Sequence, residues 1–322
     1  MAAEPLTVFA PASAGNLSVG FDALGLALAP MDGTLLGDRV TVHPGLHDDW
    51  KLAVTGPFAD ALPDDPEQNV VLASARRFQA EARRAGVEVP PLAMSLDKRL
   101  PVGSGLGSSA SSIVAALVAL NHHFGRPLNR LRLLDLMAEM EAGISGDLHL
   151  DNVAPCLMGG LRLCIPGSAR QYALPWPAHW RAVIAWPGTR MDTRAARAVL
   201  PQDLPHKLAI AHAAQFACFV HELHIGDAAS AAGCLVDMIA EPHRAPLLPG
   251  FEDARAALVE LGALAVGISG SGPALFAIVD EQRVAERAYS WLRGHYLRNE
   301  LGFAHVCRAD LEGARRVQAA AR

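Results

Sequence analysis

Cysteine is scarce and scattered. The 322-residue chain has five, Cys156, Cys164, Cys218, Cys234 and Cys307, with no CxxC pair. An odd, dispersed set argues against a disulfide framework or a zinc cluster and predicts free thiols in a reducing compartment. A basic excess is missing too. Lys and Arg total 28 against 33 Asp and Glu, a net charge of −5. No broad basic surface follows, so a nucleic-acid partner is not expected, although a local site could still bind a small anion.

Long apolar runs are also absent. The uncharged stretch 100–125 begins with Gly and Ser, and its apolar part, 113–120, is far too short to span a bilayer. The stretch 261–279 is broken by Gly267, Gly270, Gly272 and Pro273. A spanning helix needs about 20 mostly apolar residues. The first 15 residues have no basic region and carry Glu4 and Pro5 early, so no secretory leader is expected. These absences predict a soluble, cytoplasmic protein with no membrane partner.

What is present suits a packed core. Hydrophobic residues make up 51% and charged residues 19%, too apolar for disorder. A prior of about 150 residues per domain suggests two domains or one large one. Short alternating runs at 6–10, 39–43, 52–55 and 92–96 predict strands, and the spacing predicts helices over 70–85, 109–124 and 130–142. Further helices are expected at 193–200, 207–224, 227–239, 251–261 and 282–295, with strands at 181–186, 263–268, 274–279 and 303–307. The Pro- and Trp-rich stretch 166–187 is the expected domain connection. The class is mixed α and β, with helices covering sheets.

The sharpest local feature is Pro101-Val102-Gly103-Ser104-Gly105-Leu106-Gly107-Ser108-Ser109-Ala110. Alternating glycines let backbone N–H groups approach a ligand closely. A strong helix begins at once, adding roughly half a positive charge and several unpaired donors. Together they suit a phosphate, and a serine at the loop end offers oxygen to Mg²⁺. The loop lacks the GK[ST] of a Walker sequence and the GxGxxG spacing of a dinucleotide fingerprint. A plain Gly-rich turn with a serine cap is the alternative.

Two other segments carry polar groups in apolar surroundings. One is 10–22, with Asn16 and Asp22. The other is Gly267-Ile268-Ser269-Gly270-Ser271-Gly272-Pro273, which alone reads as a hairpin turn. A third cluster runs from Glu141 through His149 and Asp151 to Asn152. Zinc would need further ligands, and none has the required spacing.

Taken together, PASAGNLSVGFDALG, PVGSGLGSSAS and GISGSGPALFA resemble the three signatures of the GHMP small-molecule kinases. SGDLHLDNVAPCLMGG and IAEPHRAPLLPGF make the chain similar to the homoserine kinase family within them. The resemblance runs from about residue 8 to 310. It implies an α+β, two-domain GHMP kinase fold. Residues 1–165 would form an N-terminal α/β domain with the phosphate-binding loop. Residues 166–322 would form a C-terminal ferredoxin-like α/β sandwich contributing substrate-binding residues.

It further implies ATP-dependent phosphorylation of the side-chain hydroxyl of L-homoserine, in threonine biosynthesis. Pro101, Val102, Gly103, Ser104, Gly105, Leu106, Gly107, Ser108, Ser109, Ala110 and Ser111 would wrap the ATP phosphates, with Asn69 on the adenine side. Ser109 and Glu141 would hold Mg²⁺, Ser108 being the near rival for the hydroxyl. Homoserine would be held by Asn16, Asp22, His149, Asp151, Asn152, Arg197 and Arg244. A zwitterion needs a carboxylate for its ammonium, here Asp22 or Asp151, and guanidiniums for its carboxylate. Arg194 is expected to be a solvated helix charge. A homodimer is compatible with this reading.

Two departures from the wider superfamily matter. Asn152 stands eleven residues after Glu141, where many GHMP kinases place an aspartate base. Ala12-Ser13 follows Pro11, where mevalonate kinases carry a lysine. Early deprotonation is therefore not expected, and positioning by Ser109, Glu141 and Asn152 would supply most of the catalysis. The competing readings are a mevalonate or sugar kinase of the same superfamily and a non-catalytic nucleotide-binding sensor.

Overall fold

The computed structural model describes residues 4–145 and 149–318; residues 146–148 of the third cluster lie outside these. The first part holds β1 (Leu6–Pro11), β2 (Ser13–Gly15), β3 (Leu24–Pro30), β4 (Gly37–His43), β5 (Lys51–Thr55), α1 (Val70–Arg84) and β6 (Ala93–Asp97). Then come α2 (Ser108–His123), α3 (Arg130–Ser145), α4 (Val153–Met158), β7 (Leu161–Cys164) and β8 (Gln171–Leu174). The rest holds β9 (Arg181–Trp186), α5 (Thr193–Ala198), α6 (His206–Ile225), α7 (Ala228–Gly233), α8 (Glu241–Arg244) and α9 (Phe251–Glu260). It closes with β10 (Ala265–Ile268), β11 (Leu275–Val279), α10 (Gln282–His295), β12 (Phe303–Ala309) and β13 (Arg315–Val317).

The smaller sheet runs β13-β1-β4-β6-β5. All its pairs are antiparallel except β5 with β6. One face carries Val8, Val40, Val42, Met94 and Leu96 into a core shared with α1, α2, α3 and α4. Helix α2 is buried nearly all round, from Ala110 to Asn121. A helix apolar on every side must sit inside a core, and Ser111 ties its first turn to Ala10 of β1 and Asp38 of β4, where the Gly-Ser loop enters.

The larger sheet runs β10-β11-β9-β12-β3-β7-β8, with β2 paired to β3. Its β10-β11-β9-β12 half, with chain order β9, β10, β11, β12 and α10 before β12, has the ferredoxin-like arrangement. Alternation along β9 explains why it is covered on both faces. Ala182, Ile184 and Trp186 meet α6 and α7, whereas Val183 and Ala185 meet α9 and α10. Strands from both sides of residue 165 share this sheet, and β13 returns to the smaller one. The fold is mixed α/β, two sheets with helices packed on them.

Most expected elements lie within a few residues of those observed. Two expectations fail. The stretch 166–187 is no linker, because β8 and β9 lie in it and Pro175 and Pro177 occupy the turn between them. The expected helix 227–239 stops at Gly233, and Asp237 caps the next helix by accepting from the N–H groups of Ile239, Ala240 and Glu241.

Candidate active site

Residues 98–107 connect β6 to α2 and form one wall of a cavity of ≈ 920 Å³ between the sheets. Gly105 and Gly107 take φ of +81° and +64°. A Cβ at 105 would strike the Ser269 carbonyl, and one at 107 the Ser13 hydroxyl. Glycine is thus needed for both conformation and close approach. Val102, Gly103, Ser104, Gly105, Gly107, Ser108 and Ser109 line the cavity, as does Asn69, whose side chain caps α1 by accepting from Val71 N–H at 2.9 Å.

Four loop residues are not in that wall. Pro101 is buried beneath the loop. Leu106 packs among Leu17, Leu24 and Leu100, and Ala110 packs against the smaller sheet. Ser111 donates to Ala10 O at 2.8 Å and accepts from Asp38 N–H at 2.9 Å, so its hydroxyl is committed to the framework.

The two serines at the helix start differ. Ser109 Oγ donates to Glu141 Oε1 at 2.7 Å, whereas Ser108 Oγ donates to Leu100 O at 3.1 Å. Burial pushes the Glu141 carboxyl above its usual range, against the Ser109 hydrogen bond and the charge of Lys98. A carboxylate and a hydroxyl so placed are hard oxygen donors of the kind Mg²⁺ takes.

Sequence reasoning missed Lys98. It is 1% exposed, lines the cavity, pairs with the buried Asp38, and donates to Ser108 O and Ser112 Oγ, both at 3.0 Å. Asp38 also accepts from the N–H groups of Arg99 at 2.8 Å and Leu100 at 2.9 Å, and from Ser112 Oγ at 2.6 Å. This cluster pins the loop to α2. The available signal was Lys98-Arg99, a charged pair just before the uncharged loop.

At the other end of the cavity, residues 16–18 and Asp22 have left-handed φ between +43° and +68°. That bend aims Asn16 Nδ2 at Gly270 O, 2.9 Å, and lets its Oδ1 accept from Asp22 N–H at 2.9 Å. Asp22 binds Arg197 through two parallel bonds of 2.8 and 3.1 Å, and His149 Nδ1 lies 3.7 Å from it. Arg244 is 3% exposed, donates to Ala196 O and Gly270 O, and lies over the Phe21 ring beside Arg197. Burial and the charge of Arg197 both lower its pKa. The turn at 267–273 is the β10–β11 hairpin, but it also closes this site through Gly270 and through Ser269 Oγ, which donates to Gly105 O at 2.8 Å.

Asn152 lies between the two ends. Its Oδ1 accepts from Ser13 Oγ at 2.9 Å and its Nδ2 donates to Asp151 Oδ2 at 3.2 Å. Burial, with Asp22 and Glu141 nearby, raises Asp151 to about 7 despite Arg197. All seven acceptor-side residues named from sequence line the one cavity. Arg194, exposed on α5 as expected of a solvated charge, lines the cavity rim too.

Comparison with known proteins shows the family. Residues 69–160 match the GHMP kinases N terminal domain, and residues 219–296 match the GHMP kinases C terminal. A crystal structure of homoserine kinase from Cytophaga hutchinsonii superposes with a TM-score of 0.87 at 32% identity, covering 98% of each chain. Similarity of fold alone extends to L. major mevalonate kinase in complex with R-mevalonate, with a TM-score of 0.67 at 13% identity, covering 94% of this chain and 95% of that one. It extends likewise to phosphomevalonate kinase of Streptococcus pneumoniae, 0.66 at 11%, covering 98% and 99%.

Proposed function

The chain belongs to the GHMP kinase family, and on that premise we propose that it transfers the terminal phosphoryl group of ATP to the side-chain hydroxyl of L-homoserine. The observation that carries the acceptor is the Asp22–Arg197 pair, with Arg244 and Phe21 beside it, in the cavity that the Gly-Ser loop walls. A zwitterionic amino acid can divide this pair, its ammonium taking Asp22 and its carboxylate taking the guanidiniums. Mevalonate has no ammonium and a sugar has neither charge. The name of the 32% identical Cytophaga protein supports the same acceptor.

The loop and the start of α2 would bind the ATP phosphates through backbone N–H groups, with Lys98 beneath them. The Ser109–Glu141 oxygen pair fits Mg²⁺, whose charge would neutralise the phosphate oxygens. Asn152, held by Ser13 and Asp151, would orient the acceptor hydroxyl. An amide cannot take up the proton, so it passes to a phosphate oxygen or to water late in a loose transfer. Asn69 would contact the adenine side. Residues 166–322 would supply Arg197 and Arg244, and the product would serve threonine biosynthesis.

A coupled ADP-release assay with homoserine, mevalonate and galactose tests the reading. Turnover with homoserine is expected. Turnover with mevalonate or galactose and none with homoserine overturns it.

A further inference from the structure

Outside the cavity, one pair of groups has chemistry that phosphoryl transfer does not use. Cys218 is exposed on α6 and Cys234 is half-buried at the C-terminal cap of α7. Burial and the neighbouring Cys218 thiol both raise the Cys234 thiol. The contact is fixed by the backbone: Gln215, three residues before Cys218 and so on the same side of α6, donates its side-chain N–H to Cys234 O at 3.1 Å. Gly226 ends α6 in a left-handed turn, and Asp227 caps α7, so the two helices fold back on each other.

The other three cysteines are placed differently. Cys156, Cys164 and Cys307 are buried in the apolar cores, and burial raises all three thiols. None of the three reaches solvent. Reactivity of a thiol requires both access and a thiolate. Only Cys218 meets the first condition fully.

We propose that Cys218 and Cys234 are a reversible disulfide-forming pair, an intrachain oxidation site joining α6 to the cap of α7. With hydrogen peroxide as oxidant, the Cys218 sulfur attacks one peroxide oxygen and the O–O bond breaks. This gives a sulfenic acid and releases water after proton transfer. The Cys234 sulfur then attacks the Cys218 sulfur, expelling the hydroxyl as a second water as the S–S bond forms. Two thiols lose two electrons and two protons, and one peroxide becomes two waters. The bond would tie α6 to the segment that leads through Asp237 to α8.

The test treats the full-length protein with millimolar hydrogen peroxide at pH 7.5, followed by alkylation, intact mass and peptide mapping with and without dithiothreitol. Free thiols should fall from five to three, with the intact mass reduced by two hydrogens and one peptide containing Cys218 linked to Cys234. Dithiothreitol should restore all five. Cys218→Ser and Cys234→Ser should each abolish the link, and Cys234→Ser should leave Cys218 overoxidised. The proposal is overturned if Cys218 becomes sulfinic acid while Cys234 stays alkylatable. A link between two chains, or prior loss of one of the three buried thiols, overturns it equally.

Discussion

Ser109 and Glu141, thirty-two residues apart, share a 2.7 Å hydrogen bond at the point where the start of α2 meets the last turns of α3. Neighbouring Ser108 turns away to Leu100 O. Of the two serines the sequence offers, the one that faces the carboxylate is decided by the phase of α2.

Glu141→Gln keeps the Ser109 hydrogen bond but removes the charge. Turnover should fall at least a hundredfold at saturating Mg²⁺, with the far-UV spectrum and Tm little changed. Activity within a few-fold of the parent would make Glu141 a structural helix-end group.

Asn152→Asp should not accelerate the reaction. It replaces an N–H donor with a second carboxylate oxygen against Asp151 Oδ2, now 3.2 Å from Asn152 Nδ2. The repulsion raises both pKa values. The kcat at pH 7.5 should stay below that of the parent. A rate gain with a new acidic limb would show that the site can use a base at 152.

Arg197→Ala and Arg244→Ala should each cut kcat/KM for homoserine about 10- to 150-fold, the equivalent of roughly 1.5–3 kcal/mol for a charge-assisted bond. The KM for ATP should move little. Lysine should rescue only in part, because it lacks the planar fork. Arg194 lines the cavity, so it cannot serve as a neutral control. Arg287, exposed on α10, can, and Arg287→Ala should be silent. Equal losses for both substrates would point to misfolding or a nucleotide role.

Asp151 gives the pH dependence its sign. Its carboxyl is raised to about 7, so it is increasingly protonated below that pH. An ammonium group held at Asp22, close to Asp151, favours the charged form of Asp151, so its binding releases a proton. Homoserine affinity should therefore weaken as pH falls through about 7. The same raised pKa means that folding takes up a proton here, so this group's contribution to stability declines as pH rises from about 4 towards 7. Calorimetry in buffers of different ionisation enthalpy should detect proton release near pH 7. Asp151→Asn should abolish it.

Lys98→Met would leave Asp38 as a buried charge with only neutral donors. Loss of one partner of such a pair costs about 3–5 kcal/mol, enough to lower Tm by several degrees. The Asp38→Asn, Lys98→Met double variant should recover much of the Tm but not the activity, if Lys98 serves the phosphates. Recovery of both would confine the pair to a structural role.

Part of this protein was legible in one dimension. The alternating Gly103, Gly105 and Gly107 before an apolar helix announce the left-handed loop that walls the cavity, because backbone freedom is a local property. The periodicity of α1, α2, α3 and α10 is likewise local, and their limits fall within a few residues of expectation. Asn16, Asp22, Glu141, His149, Asp151, Asn152, Arg197 and Arg244 were named through linear motifs, and all eight line one cavity.

The rest depended on contacts between distant segments. Strand β3 has an almost wholly apolar sequence with no period, since it is covered on both faces. Strand β8 hides in a Pro-rich stretch because the prolines occupy only its connection to β9. Lys98 reads as one more surface charge until Asp38, sixty residues earlier, is brought against it. Arg197 reads only as a cation for a substrate carboxylate until the left-handed bend at 16–18 turns Asp22 towards it. Sequence by itself determined which chemical groups were available and which local backbone they preferred. The packing of two sheets around α2 decided which of them meet, because burial and hydrogen-bond geometry depend on neighbours that no local window contains.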